Sequence, residues 1–201
     1  SAPTWPNHEN IFRAADIEIA EYPYYDPKAK SLDFSAMMEC MESWIPEGDI
    51  VLLHGCCHNP TGIDPSPEQW RQIAATIAQR RLIPVIDLAY LGLAIGIEED
   101  AAGMREICAS VPAALIASSF SKNFGLYNER VGALTVIMPD SGTAEIAFSH
   151  IKAIIRATYS NPPSHGAAIV SCIMSDPSLR MQWTGEVAAI RNRIHEMRTL
   201  F

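Results

Sequence analysis

Short continuous apolar runs take turns with helically spaced apolar positions along most of this chain. Runs bounded by turn-forming residues predict strands over 50–54, 82–87, 113–118 and 131–138, the third of them buried. Between them, Phe34, Met37, Met38, Met41 and Ile45 recur at helical spacing and predict a helix over 33–44 with Asp33 near its N-cap. Ser66-Pro67-Glu68-Gln69 opens the next helix, with Pro at the first helical position and Trp70, Ile73, Ala74 and Ile77 on the apolar face. A further helix is predicted over 100–109, and weak alternation over 17–20 predicts a short strand ahead of the aromatic cluster at 22–26. From Gly142 onward the pattern is helix after helix, over 144–158, 164–175 and 178–200.

Strands separated by helices of this length imply βαβ units, and hence an α/β fold with a mostly parallel sheet covered by helices. A helical C-terminal stretch follows it. In such sheets ligand groups gather beyond the carboxyl ends of the strands. Polar segments stand at those places: His58-Asn59-Pro60-Thr61-Gly62, Asp87-Leu88-Ala89-Tyr90, and Ser119-Phe120-Ser121-Lys122-Asn123-Phe124-Gly125 with Arg130 close behind.

Lys122 just past a strand end carries the chemistry. A lysine there is costly to bury unless its amine is neutralised or used. Imine formation with a carbonyl cofactor would use it. Ser119, Ser121 and Arg130 are donors of the kind a phosphate takes. A carbonyl and a phosphate on one small molecule point to pyridoxal 5'-phosphate. The local alternative is an exposed loop lysine among turn-forming serines.

Composition narrows the classes. The 201 residues are 48% hydrophobic, and no apolar run approaches the roughly 18 residues of a membrane helix. A net charge of −8 without a basic stripe argues against nucleic acid as a partner. Five cysteines without a repeated spacing suit a reducing compartment, with the thiols as small buried hydrophobes. The expected location is cytoplasmic. One metal reading competes: an extended His54-Gly55-Cys56-Cys57-His58 would turn His54, Cys56 and His58 to one face, as zinc could accept, although no fourth ligand is evident.

Taken in order, these segments closely resemble the class I aminotransferases of pyridoxal-phosphate fold type I, in particular the aspartate/aromatic subgroup. Asn128-Glu129-Arg130-Val131-Gly132, the opening Ser1-Ala2-Pro3-Thr4-Trp5-Pro6-Asn7-His8 and Tyr159-Ser160-Asn161-Pro162-Pro163 extend the resemblance nearly end to end. It implies a partial cofactor-binding large domain over 1–160 and a partial helical segment over 161–201 leading toward a small domain. The chain looks like the central portion of such a protein.

The resemblance also implies roles. Lys122 would hold the cofactor and shuttle the substrate proton, Asp87 would face the pyridine nitrogen, and Tyr90 and Asn59 would face the ring's phenolic oxygen. Ser119, Ser121 and Arg130 would bind the phosphate, and Trp5 would stack on the ring. His8 and His54 would orient Asp87 from behind. Arg156 would take a substrate side-chain carboxylate in the neighbouring subunit of a homodimer. The family's Gly-rich phosphate loop, its subunit-bridging tyrosine and its α-carboxylate arginine have no counterpart here, so the isolated piece is expected to be inactive. The activity implied is transfer of the amino group of aspartate or an aromatic amino acid to 2-oxoglutarate by a ping-pong route. Another pyridoxal-phosphate reaction, or a non-catalytic piece that keeps the large-domain core and dimer surface, are the alternatives.

Overall fold

The computed structural model describes residues 1–200. Its centre is a four-stranded sheet in the order β3 (Ile50–His54), β4 (Ile83–Leu88), β5 (Ala114–Ser119), β6 (Gly132–Ile137). The first three strands run parallel, and β6 returns antiparallel to β5. Ahead of it lie α1 (Asn7–Ala14), a two-stranded ribbon of β1 (Tyr25–Asp26) and β2 (Ser31–Leu32), and α2 (Phe34–Ser43). Helix α3 (Pro67–Gln79) connects β3 to β4, and α4 (Ile97–Asp100) with α5 (Ala102–Ser110) connects β4 to β5. Three longer helices follow β6: α6 (Ser141–Thr158), α7 (Ser164–Ser175) and α8 (Pro177–Leu200).

Local chemistry explains the boundaries. Asp33 accepts the Ala36 N–H and caps α2. Ser66 and Gln69 form a reciprocal capping box in front of Pro67, satisfying amides that the first turn of a helix leaves unpaired. Strand β4 buries Pro84, Ile86 and Leu88 in alternation, and its pairing with β5 begins at Val85, one residue past the proline. The core joins Met37 and Met41 of α2, Ile73 and Ile77 of α3, and Ile107 of α5 to the sheet residues Leu53, Ile86 and Ile116.

Two expectations are corrected. Residues 17–20 form no strand: Ile17 and Ile19 are exposed, and no neighbouring strand pairs with this alternation. The single helix expected over 100–109 is two, broken at Ala101. Asp100 is turned inward, where its carboxylate accepts the amides of Gly92, Ala94, Ile95 and Gly96.

The helical stretch packs back on the sheet end through α8. Trp183 stacks on Phe124 with ring centroids 4.6 Å apart and donates its indole N–H to the Asn123 carbonyl. Val187 is buried, and Arg191 donates to the Gly92 carbonyl. Among the described residues no helix is long and apolar enough to cross a membrane.

Contact between α3 and α5 depends on Gly103, where a Cβ would lie only 2.4 Å from the indole ring of buried Trp70. Gly103→Ala is therefore expected to lower stability by about 1–3 kcal/mol, the usual cost of overpacking. Denaturant midpoints of the full-length protein would show it, and an unchanged midpoint would refute this account of the packing.

Candidate active site

Parallel pairing sets His54 beside Asp87 and Asp87 beside Ala117, so the carboxyl ends of β3, β4 and β5 lie abreast. At that edge His8, from α1, binds Asp87 Oδ2 through Nε2 at 2.8 Å. Thr4 Oγ1 lies 2.9 Å from His8 Nδ1 and 3.1 Å from His54 Nε2. The Asn59 backbone N–H donates to His54 Nδ1 at 3.4 Å. That last bond makes His54 Nδ1 an acceptor, so Nε2 carries the proton and donates to Thr4. Thr4 then donates to His8 Nδ1, and His8 Nε2–H donates to Asp87. Every donor in the chain points toward the carboxylate. Burial pushes His54 down to about 4, with nearby His8 adding to the fall and Asp87 opposing it. His54 is therefore neutral at ordinary pH, as this donor order requires.

Tyr90 stands at the centre of the second group. Asn59 Nδ2 donates to its hydroxyl at 3.4 Å, and Lys122 Nζ lies 4.6 Å from its ring centroid. Burial holds the Tyr90 phenol above its usual range; the Asn59 bond works against this and the Asp87 charge adds to it. Lysine, tyrosine, asparagine and aspartate thus share one neighbourhood. Trp5 meets His8 edge-on at 5.2 Å and is 38% exposed, so much of its ring is open to a ligand.

The three expected phosphate donors sit at the β5–β6 end. Ser119 Oγ accepts the Ser121 N–H at 3.2 Å, and Ser121 is buried. Arg130, in the left-handed region at φ 50°, donates to the Tyr127 carbonyl at 2.8 Å and is otherwise exposed. Gly132 pairs with Ser119, and a Cβ there would lie 2.6 Å from the Ser118 carbonyl oxygen. The missing side chain lets the strand that follows Arg130 close onto the one that ends in Ser119. Arg156 is placed elsewhere: it is exposed in the last turn of α6 and hydrogen-bonds Ser160.

The zinc trio does not form. Strand β3 stops at His54, and Cys57 takes a left-handed backbone at φ 49°, so 54, 56 and 58 do not share an extended face. His54 is engaged with Thr4 and Asn59, and His58 with Thr61 and Ser1. Two residues of the site escaped sequence reasoning. Thr4 links the histidines, and Asp64 accepts the Cys57 and His58 amides at 2.7 and 2.8 Å, fixing the turn that aims Asn59. Thr4 stood within a segment already singled out, but a lone hydroxyl has no spacing signal. Two clefts, of about 500 and 360 Å³, involve α7 and α8 and include neither Asp87 nor Lys122.

These features describe an α/β protein with a cluster of polar and titratable side chains at the carboxyl edge of its parallel strands, the edge where such sheets gather ligand groups. The family model described as aminotransferase class I and II matches residues 1–201, and the chain belongs to that family. It is 52% identical to the aspartate aminotransferase of Haemophilus influenzae over 201 residues, all of this chain and 50% of that protein. It is 50% identical to the mitochondrial aspartate aminotransferase P2 of Lupinus angustifolius over 199 residues, 98% of this chain and 44% of that one. A crystal structure of an aromatic-amino-acid aminotransferase from Burkholderia pseudomallei, described as covalently bound to pyridoxal phosphate, superposes with a TM-score of 0.95. It is 44% identical, covering 98% of this chain and 49% of that one. The chain therefore spans about half the length of the curated relatives it matches.

His54 yields a pH prediction. Its folded-state value, about 4, lies below the ordinary 6.5, so the unfolded chain binds more protons between these limits. The stabilisation from keeping it neutral is full above pH 6.5 and is lost as pH falls toward 4, by roughly 3 kcal/mol. In full-length protein, His54→Gln should flatten that part of the stability-against-pH curve. A decline of unchanged depth would show that His54 does not titrate this way.

Proposed function

We propose that the full-length protein is a pyridoxal-phosphate-dependent transaminase that moves the amino group of aspartate or an aromatic amino acid to 2-oxoglutarate by a ping-pong route. The single observation that carries this reading is the cluster at the sheet edge, with Lys122 Nζ over the Tyr90 ring, Asn59 on the Tyr90 hydroxyl and His8 on Asp87. The donor set fits the cofactor. The His8 bond uses Asp87 Oδ2, leaving Oδ1 for a protonated ring nitrogen. The Ser119 hydroxyl is an acceptor in its bond with Ser121 and keeps its own proton to donate, and Arg130 presents an exposed guanidinium.

When bound, pyridoxal 5'-phosphate supplies an aldehyde carbon and an electron sink. In the proposed mechanism Asp87, oriented by the His8–Thr4–His54 chain, would keep the proton on the ring nitrogen. Tyr90 and Asn59 donate to the ring's phenolic oxygen, and Ser119, Ser121 and Arg130 grip the phosphate. Trp5 covers the ring and excludes water. Lys122 would hold the cofactor through its aldehyde carbon, and its free amine would move the proton between the substrate Cα and the cofactor C4′.

Arg156 would bind a substrate side-chain carboxylate from across a homodimer interface, as its forked donors allow. Its exposure in the last turn of α6 suits a role outside the site of its own subunit. Cytoplasmic residence belongs to the same proposal.

Borohydride reduction of the full-length protein with pyridoxal 5'-phosphate, followed by digestion, tests the assignment. The pyridoxyl mass should fall on the peptide containing Lys122, and Lys122→Ala should reduce transamination of aspartate with 2-oxoglutarate to background. A label on another lysine, or an active Lys122→Ala variant, would sink the proposal.

A further inference from the structure

The adjacent thiols of Cys56 and Cys57 take no part in the proposed chemistry. Successive side chains of an extended strand point to opposite faces. Here the chain departs from that geometry, because Cys57 is left-handed at φ 49° and Asp64 holds the turn through the Cys57 and His58 amides. The two Sγ atoms and a carboxylate oxygen of Asp100 consequently lie within 4.8 Å of one another. All five cysteines of the chain are free. Cys56 is buried and Cys57 is half-buried, so the pair opens on one side.

We propose that Cys56 and Cys57 form a two-sulfur clamp for a soft monovalent cation of the copper(I) class. Thiolates select such cations over the harder ions that oxygen ligands favour. Two metal–sulfur bonds of about 2.3 Å laid end to end span at most about 4.6 Å, so a two-coordinate ion fits sulfurs this close with little movement. The Asp100 oxygens are already engaged by the Gly92, Ala94, Ile95 and Gly96 amides, so that carboxylate contributes charge and not a bond. Exchange of two protons for one copper(I) leaves the pair with a net negative charge, so the Asp100 anion works against binding and the selectivity rests on the soft sulfur ligands. Binding forms two Cu–S bonds and releases the two thiol protons to solvent, and copper stays monovalent throughout. Cys57 Sγ also lies 3.9 Å from the Tyr90 carbonyl oxygen, which joins the clamp mechanically to the segment carrying that tyrosine.

The test is an anaerobic titration of reduced full-length protein with copper(I) against the chromophoric chelator bathocuproine disulfonate. Wild type should withhold one equivalent per chain. That equivalent should be lost in Cys57→Ser and in Cys56→Ser, and kept in Cys40→Ser and Cys108→Ser. No withheld copper in the wild type, or retention in both clamp variants, overturns the proposal. Because Cys56 is a core residue, X-ray absorption of copper-loaded wild type supplies a readout independent of variant folding. Two sulfur neighbours support the clamp, whereas a shell of nitrogen or oxygen donors refutes it.

Discussion

The bond between His8 and Asp87 is the contact on which the arrangement of this site depends. A carboxylate at the end of a parallel strand rotates and solvates unless one of its oxygens is anchored. His8 supplies that anchor at 2.8 Å, and Thr4 and His54 give His8 the one tautomer that can donate. The chain works because His54 is neutral, and His54 is neutral because the fold buries it. An electrostatic property at the mouth of the sheet thus traces to packing behind it.

This anchoring joins parts of the chain remote in sequence. Thr4 and His8 come from the first residues and the start of α1, His54 from the end of β3 and Asp87 from β4. The sheet brings the last two together by register alone, since His54 and Asp87 are paired. The N-terminal segment must then dock across them, aided by the bridge that pairs Ala2 with Pro23 and by the hydroxyl of Tyr22, which donates to the Leu52 carbonyl. Contacts of such sequence separation form at the expense of loop entropy, and they become favourable only once the sheet exists.

Much of this was legible from residue patterns. Continuous apolar runs marked all four strands, of which β3, β4 and β5 enter the core while β6 lies largely exposed at the sheet edge, and Ser66-Pro67 marked the start of α3 because the cap is purely local. The polar segments after β3, β4 and β5 were legible as a cluster because parallel topology sends the carboxyl ends of these three strands to one edge. What sequence could not show was set by tertiary geometry. The false strand at 17–20 had the right alternation but no neighbour to pair with, and the break at Ala101 arises because Asp100 serves the loop before it. The His54, Cys56, His58 trio failed for a related reason: a strand's period holds only while the strand continues. The left-handed Cys57 ends it and brings Cys56 and Cys57 together instead. Thr4 was invisible because its importance lies in two partners, one of them 50 residues away.

Asp100 shows how economical such a fold can be. A single carboxylate gathers four backbone amides from Gly92 to Gly96, each a charge-assisted bond worth roughly 1.5–3 kcal/mol. Donors that share one acceptor cannot be released one at a time without weakening the rest. The segment between Tyr90 and α4 should therefore behave as one latch, shut or sprung, with its amides exchanging their hydrogens in concert.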